Sequence, residues 1–280
     1  FDHFERAYAE VTVAQETLTA DRAGEQIDAV IRAAVKARQP AYLSVPADLA
    51  TAPVPAERLE TPLFTTTSSN PASAAAFAEA ARAVLGGAEQ PVIVVGHIAA
   101  RFRLADEIVA LAEASGIPMV ALPSAKGHID ERNPLYAGVY AGTMIDPRVA
   151  KIVDSADAVI QLGTIRSDVL SGFWTDRAVD AVTISLTAEQ ALVGGQVVTE
   201  LPFPQALQTL HSVAAERVRR PVFEPAPPVN DSYPDPDEDL SQATFWQTVQ
   251  AWLRPAPPCW PTPGPPSGAR SRSPCRPGPS

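Results

Sequence analysis

Short apolar runs, spaced by stretches of helical periodicity, constrain this chain most. Pro91-Val92-Ile93-Val94-Val95, Pro118-Met119-Val120-Ala121, Ala158-Val159-Ile160-Gln161-Leu162 and Ala181-Val182-Thr183-Ile184-Ser185 each have strand length. A strand apolar on both faces must be covered on both, and covering elements between successive strands give a parallel sheet with helices on its two sides. The intervening periodicity predicts helices near 73–85, 103–115, 147–154 and 203–218. The expected fold class is therefore α/β. A doubly wound, mainly parallel sheet forms a middle domain over 73–218.

The flanks read as pieces of other domains. Over 24–38, Ile27, Val30, Ile31, Ala34 and Val35 fall at helical spacing opposite charged residues. Pro40 ends this helix, and Ala41–Val45 reads as a strand with no earlier strand to pair with, so residues 1–50 look like the C-terminal part of a domain. Residues 51–72 have linker composition, with prolines at 53, 55, 62 and 71, and residues 219–239 form a second linker rich in proline and acid. A helix over 240–253 would carry Phe245, Val249 and Trp252 on one face, which needs a domain to pack on. It reads as the first helix, 240–254, of another domain, and exposed faces on 24–45 and 240–253 predict poor solubility.

Residues 255–280 hold ten prolines, three arginines and no acidic residue, a composition expected to be disordered. Reverse translation of 258–268 in a shifted frame permits Val-Leu-Ala-Asp-Ala-Gly-Thr-Ser-Phe-Gly, an apolar strand running into a turn. The tail is therefore expected to be an out-of-frame segment.

Charge and composition remove several functions. A formal net charge of −10 without a basic face disfavours nucleic acid, and the run Arg217, Arg219, Arg220 reads as a solvated helix end. No apolar run is long enough to span a bilayer, and the opening residues lack a signal pattern, so the expectation is a cytoplasmic, membrane-free protein. Both cysteines, Cys259 and Cys275, lie in the last segment, which leaves residues 1–258 with no thiolate nucleophile, disulfide or cysteine metal site.

His3, His97, His128 and His211 are too dispersed to argue a metal cluster or charge relay, and adjacent Asp130-Glu131 before Asn133-Pro134 reads as turn chemistry. Gly96-His97-Ile98-Ala99 follows a strand where a dinucleotide fingerprint would lie, but the Gly-x-Gly-x-x-Gly pattern is absent. No catalytic, cofactor-binding or metal-ligating residue is assigned.

Several segments nevertheless share an order and spacing with a known family. Phe1–Arg6, Val11–Gln15, Ile27-Asp28 and Pro40–Asp48, then Lys126–Pro134, Gly138–Gly142 and Ser167–Trp174, resemble the thiamine-diphosphate-dependent pyruvate, indolepyruvate and phenylpyruvate decarboxylases. The resemblance makes residues 1–50 the end of a pyrimidine-binding domain, 73–218 the middle domain, and 240–254 with the shifted frame the start of a pyrophosphate domain. It implies decarboxylation of a small-molecule 2-oxo acid to an aldehyde and CO2 on thiamine diphosphate with Mg2+, the cofactor serving as electron sink. It also implies a homodimer or homotetramer for the intact parent, with the cofactor and metal ligands outside this chain and the chain itself inactive. Within the chain it points to a substrate entrance at Asp168 and Val169, where a small apolar residue leaves room for a bulky acid. Two other readings stand beside it: a relative of the acetolactate synthases, whose similar domain holds FAD, and a non-catalytic α/β binding module.

Overall fold

A computed structural model describes residues 3–53, 62–63, 69–176, 182–188, 190–217, 221–225, 227, 232–235 and 237–253. The chain divides into two compact units, Phe1–Ala226 and Pro227–Ser280. The expectations for 255–280 fall outside the described residues, as do parts of both expected linkers.

In the first unit, α1 (His3–Tyr8), β1 (Gln15–Thr17), α2 (Ala23–Ala37) and β2 (Tyr42–Ser44) form a small layer in which β1 and β2 pair in parallel. The expectation that this strand has nothing earlier to pair with is thus corrected. β1 escaped notice because Gln-Glu-Thr has no apolar alternation; side-chain hydrogen bonds hold it instead. The buried Gln26 of α2 donates to Thr17 O at 3.0 Å and Glu16 Oε2 at 2.9 Å, and Thr17 Oγ1 donates to Glu5 Oε2 at 2.6 Å. Tyr8 and Tyr42 stack with ring centroids 4.8 Å apart. Of the expected apolar face of α2, Val30 is buried while Ile31 and Val35 are exposed.

The larger sheet is built from β3 (Pro91–Val95), β4 (Met119–Ala121), β5 (Tyr136–Val139), β6 (Ala158–Leu162), β7 (Thr183–Leu186), β8 (Ala191–Val193) and β9 (Gln196–Val198). Its order is β5-β4-β3-β6-β7-β8-β9. β5 through β7 run parallel, and β8 and β9 add antiparallel pairs at one edge. The sheet is thus mostly parallel, as the apolar runs require. Sequence reasoning missed β5, β8 and β9. In β5 the register shifts and Gly138 takes φ +136, while β8 and β9 join through Gly194 and Gly195, both left-handed.

Pleat alternation sorts the strand residues. Ile93, Val95, Met119, Ile160, Leu162 and Ile184 belong to one apolar cluster with residues of α3 (Pro71–Gly87), α5 (Ala105–Ser115) and α7 (Phe203–Ala215). Val92, Val94, Val120 and Val159 belong to another with α6 (Pro147–Asp154) and Phe223. The helix expected near 103–115 is α5; the short α4 (His97–Phe102) before it, which ends where Arg103 turns left-handed, was not expected. Arg217 is not a solvated helix end, because its guanidinium donates to Leu85 O and, at 3.0 Å, to Ala88 O, satisfying carbonyls at the end of α3. Arg219 and Arg220 fall outside the described residues.

In the second unit, α8 (Gln242–Trp252) opens with a capping box between Ser241 and Thr244, and Phe245, Trp246 and Trp252 are exposed.

Candidate functional site

In an open parallel sheet a ligand crevice is expected where successive connections leave in opposite directions, at the carboxyl ends of the strands. Here that point lies between β3 and β6, since β4 and β5 extend the sheet from one side of β3 and β6 lies on the other. Protein backbone fills it. Gly96 N donates to Leu162 O at 2.9 Å, and Ile98 N donates to Gly163 O at 3.1 Å. A Cβ on Gly96 would stand 2.2 Å from Gly163 O, and one on left-handed Gly163 would stand 2.3 Å from Ala99 N. The first amides of α4 therefore face a carbonyl rather than a phosphate cradle.

The chain leaving β6 crosses instead to the loop leaving β5, and two motifs far apart in sequence interlock there. Gly172 and Gly142 are both left-handed; an added Cβ would stand 2.1 Å from Ala141 O in the first case and 2.0 Å from Thr175 Oγ1 in the second. Thr143 N donates to Thr175 Oγ1 at 3.1 Å. Beneath lies a cavity of about 60 Å3 lined in part by Tyr140, Gln161, Thr164, Ser171 and Asp176.

Asp168 and Val169 start the tight turn on this loop. Asp168 O accepts from Phe173 N at 2.6 Å, and Asp168 Oδ1 accepts from Val169 N at 2.7 Å. Ser171 Oγ donates to Ser167 O at 2.6 Å and accepts from Trp174 N at 3.0 Å. With Asp168 occupied in closing the turn, Val169 extends half-exposed from a rigid base. Nearby, Arg166 grips Asp176 through both carboxylate oxygens, at 3.0 and 2.8 Å, and lies 5.3 Å from the Trp174 ring centroid. Sequence reasoning missed Arg166, Phe173 and Trp174 as features of this site. The Gly172 beside them was the available signal of a left-handed turn.

The other candidates remain separate. His97 Nδ1 lies 3.2 Å from Ser124 Oγ, joining the loops after β3 and β4, and burial followed by the charge of Arg101 pushes its pKa down. Burial also pushes His128 down, while His3 and His211 sit on α1 and α7. Asp130 Oδ1 accepts from Arg132 N at 3.0 Å and its carboxylate pairs with the Arg132 side chain, which holds it below the ordinary carboxylate range; Lys126 pairs with Glu131 at 2.6 Å. These are turn contacts. Among the described residues no group of three or more His, Cys, Asp or Glu side chains could hold a metal ion. Nor is any described helix long and apolar enough to cross a membrane.

Comparison with known proteins agrees with this architecture. Residues 78–210 match the central domain of thiamine pyrophosphate enzymes. The alpha-keto-acid decarboxylase of Mycolicibacterium paratuberculosis (strain ATCC BAA-968 / K-10) is 31% identical over 259 residues, covering 91% of this chain and 45% of that protein. Pyruvate decarboxylase isozyme 2 of Saccharomyces cerevisiae (strain ATCC 204508 / S288c) is 32% identical over 235 residues, covering 82% and 41%. The pyruvate decarboxylase of Hanseniaspora uvarum is 36% identical over 174 residues, covering 61% and 31%. The sheet with its backbone-filled crevice is thus a thiamine-enzyme central domain. Beyond that domain the chain is similar to alpha-keto-acid and pyruvate decarboxylases, and it spans about half the length of the curated relatives it matches.

Proposed function

We propose that this chain is the substrate-path and scaffold portion of a lyase that converts a 2-oxo acid of the indolepyruvate, phenylpyruvate or pyruvate type to an aldehyde and CO2. The observation that carries the reading is the central-domain match over 78–210, inside a relationship of 31% identity that runs through 91% of the chain. In this reading thiamine diphosphate and Mg2+ are held by residues outside those described, and the intact enzyme is a cytoplasmic homodimer or homotetramer. Residues 1–50 are the end of a pyrimidine-binding domain and 240–254 the first helix of a pyrophosphate domain. Asp168 closes the turn after β6, and Val169 lines the path of the incoming acid. Gly163 O engages the Ile98 amide at the switch point, which supports a decarboxylase over an FAD-holding acetolactate-synthase relative.

A domain exchange tests the proposal. Residues 73–218 of this chain, placed in the mycobacterial relative instead of its own central domain, should give an enzyme that releases CO2 from a 2-oxo acid. A chimera that assembles and binds thiamine diphosphate yet decarboxylates neither pyruvate, phenylpyruvate nor indolepyruvate would sink it.

A further inference from the structure

Three consecutive residues of the turn after β6 are left-handed: Gly172 at φ +61, Phe173 at +56 and Trp174 at +65. Glycine takes this conformation freely, whereas a residue with a Cβ brings it against the following carbonyl. Two adjacent aromatic residues held this way are a strained arrangement, which persists only where the surroundings over-determine it. Here they do. The turn is closed by backbone groups with Ser171 and Thr175, the latter donating to Gly172 O at 2.8 Å, and by the interlock with Ala141.

Among the described residues the strain does not serve packing, because Phe173 is 63% and Trp174 59% exposed, and no hydrogen bond of the turn uses either ring. The indole is nonetheless fixed in direction, since Arg166 lies against it and is itself held by Asp176. A ring held in direction on the same turn as half-exposed Val169, at the carboxyl end of a central strand, suits a flat apolar group. Arg166 is committed to Asp176, and the carboxylate of Asp168 repels an anion. The platform therefore takes the uncharged end of a substrate and leaves the acid end elsewhere.

We infer that Trp174, with Phe173 and Val169 on the same turn, is the specificity platform for the aryl group of an aromatic 2-oxo acid. This rests on the proposal that the turn lines the substrate path. Pyruvate, with a methyl group in place of the aryl, gains nothing from the ring.

The test uses the full chain, whose four tryptophans each give an indole N–H resonance. Trp174→Phe assigns that of Trp174. Titration with phenylpyruvate should move the Trp174 indole signal saturably and pyruvate should leave it still, while the backbone amides of 168–170 move with both. Trp174→Leu, which leaves the hydrogen bonds of the turn intact, should weaken phenylpyruvate binding about three- to tenfold, the contribution expected of one aromatic pair, and leave pyruvate binding unchanged. Trp174→Phe should retain most of the preference. If the amides of 168–170 respond to both acids while Trp174 responds to neither, the platform falls and the substrate path stands. If no signal of the turn responds to either acid, both fall. Equal loss of both acids in Trp174→Leu also overturns the platform.

Discussion

The two faces of the seven-stranded sheet are covered differently. One carries α3, α5 and α7 over an apolar cluster in which Phe77, Leu85, Ile108, Leu111, Ile160 and Leu210 are fully buried. The other carries α6, the segment with Phe223 and the interlocked loops, and it encloses the small cavity lined by both apolar and polar side chains. Helices satisfy their own backbone groups, so three of them give a uniform apolar cover. Loops must find partners for theirs, and they do so with Ser171, Thr175 and Asp168, which leaves other side chains free to point outward. Stability is concentrated on the first face, and the candidate chemistry on the second.

Truncation on each face should show this most sharply. Phe77→Ala opens the first cluster and should lower stability by about 3–5 kcal/mol, whereas Val153→Ala on α6 removes two methyl groups and should lower it by about 1–2 kcal/mol. Urea midpoints would measure both. Equal losses would remove the distinction between the faces.

Glycines extend the comparison to single atoms. Gly172→Ala puts a Cβ into a left-handed residue beside Ala141 O and should lower stability by about 2 kcal/mol or more. Gly86→Ala, in the last turn of α3 with nothing within 4 Å of the added carbon, should raise it by about 0.5–1 kcal/mol. Thermal unfolding of the pair should give shifts of opposite sign. A loss at Gly86 would show that α3 needs glycine there for a reason other than space.

The same division governs what was legible in the sequence. The runs at 91–95 and 158–162 are buried at nearly every position, so composition alone marks them as central strands. The helices over the first face show their period because that face excludes water completely. β1 carries no such signal because polar contacts from Gln26 fix it. The β8–β9 hairpin did carry one, Gly194-Gly195 between apolar runs, which is a known two-residue turn pattern. At the site, the Ser167–Trp174 motif was visible only through family likeness. No periodicity announces that Phe173 and Trp174 turn left-handed, because that conformation is imposed by Ala141 and Thr175 across the turn.

Tyr136, at the β5 edge, offers a subtler probe of the first face. Its ring is buried, its hydroxyl has no hydrogen-bond partner among the described residues, and burial, with the charge of Glu131 second, pushes its pKa well above the ordinary tyrosine range. Removing an unsatisfied buried hydroxyl is neutral or stabilising, so Tyr136→Phe should keep or gain up to about 1 kcal/mol at neutral pH. The fold favours the neutral phenol. Its contribution is therefore complete below about pH 10, the unfolded value, and is lost as pH rises toward the folded one. Melting temperature against alkaline pH should fall more steeply in the natural protein than in Tyr136→Phe; parallel curves would mean that water reaches the hydroxyl.

His128 should give the smallest effect, at the opposite end of the pH scale. Burial lowers its pKa, so the folded protein binds its proton less readily than the unfolded chain does. That contribution is present above about pH 6.5, the unfolded value, and is lost as pH falls through the folded one. His128 is only half-buried, so solvent limits the size of the effect. Among the described residues its ring nitrogen Nε2 has no hydrogen-bond partner to stabilise the protonated form. In His128→Gln the stability lost between neutral and mildly acidic pH should be smaller than in the natural protein, with equal stability at pH 8. An equal acid loss in both would move its origin to His97, whose pKa burial and Arg101 lower at the carboxyl edge of the sheet, where the turn after β6 also lies.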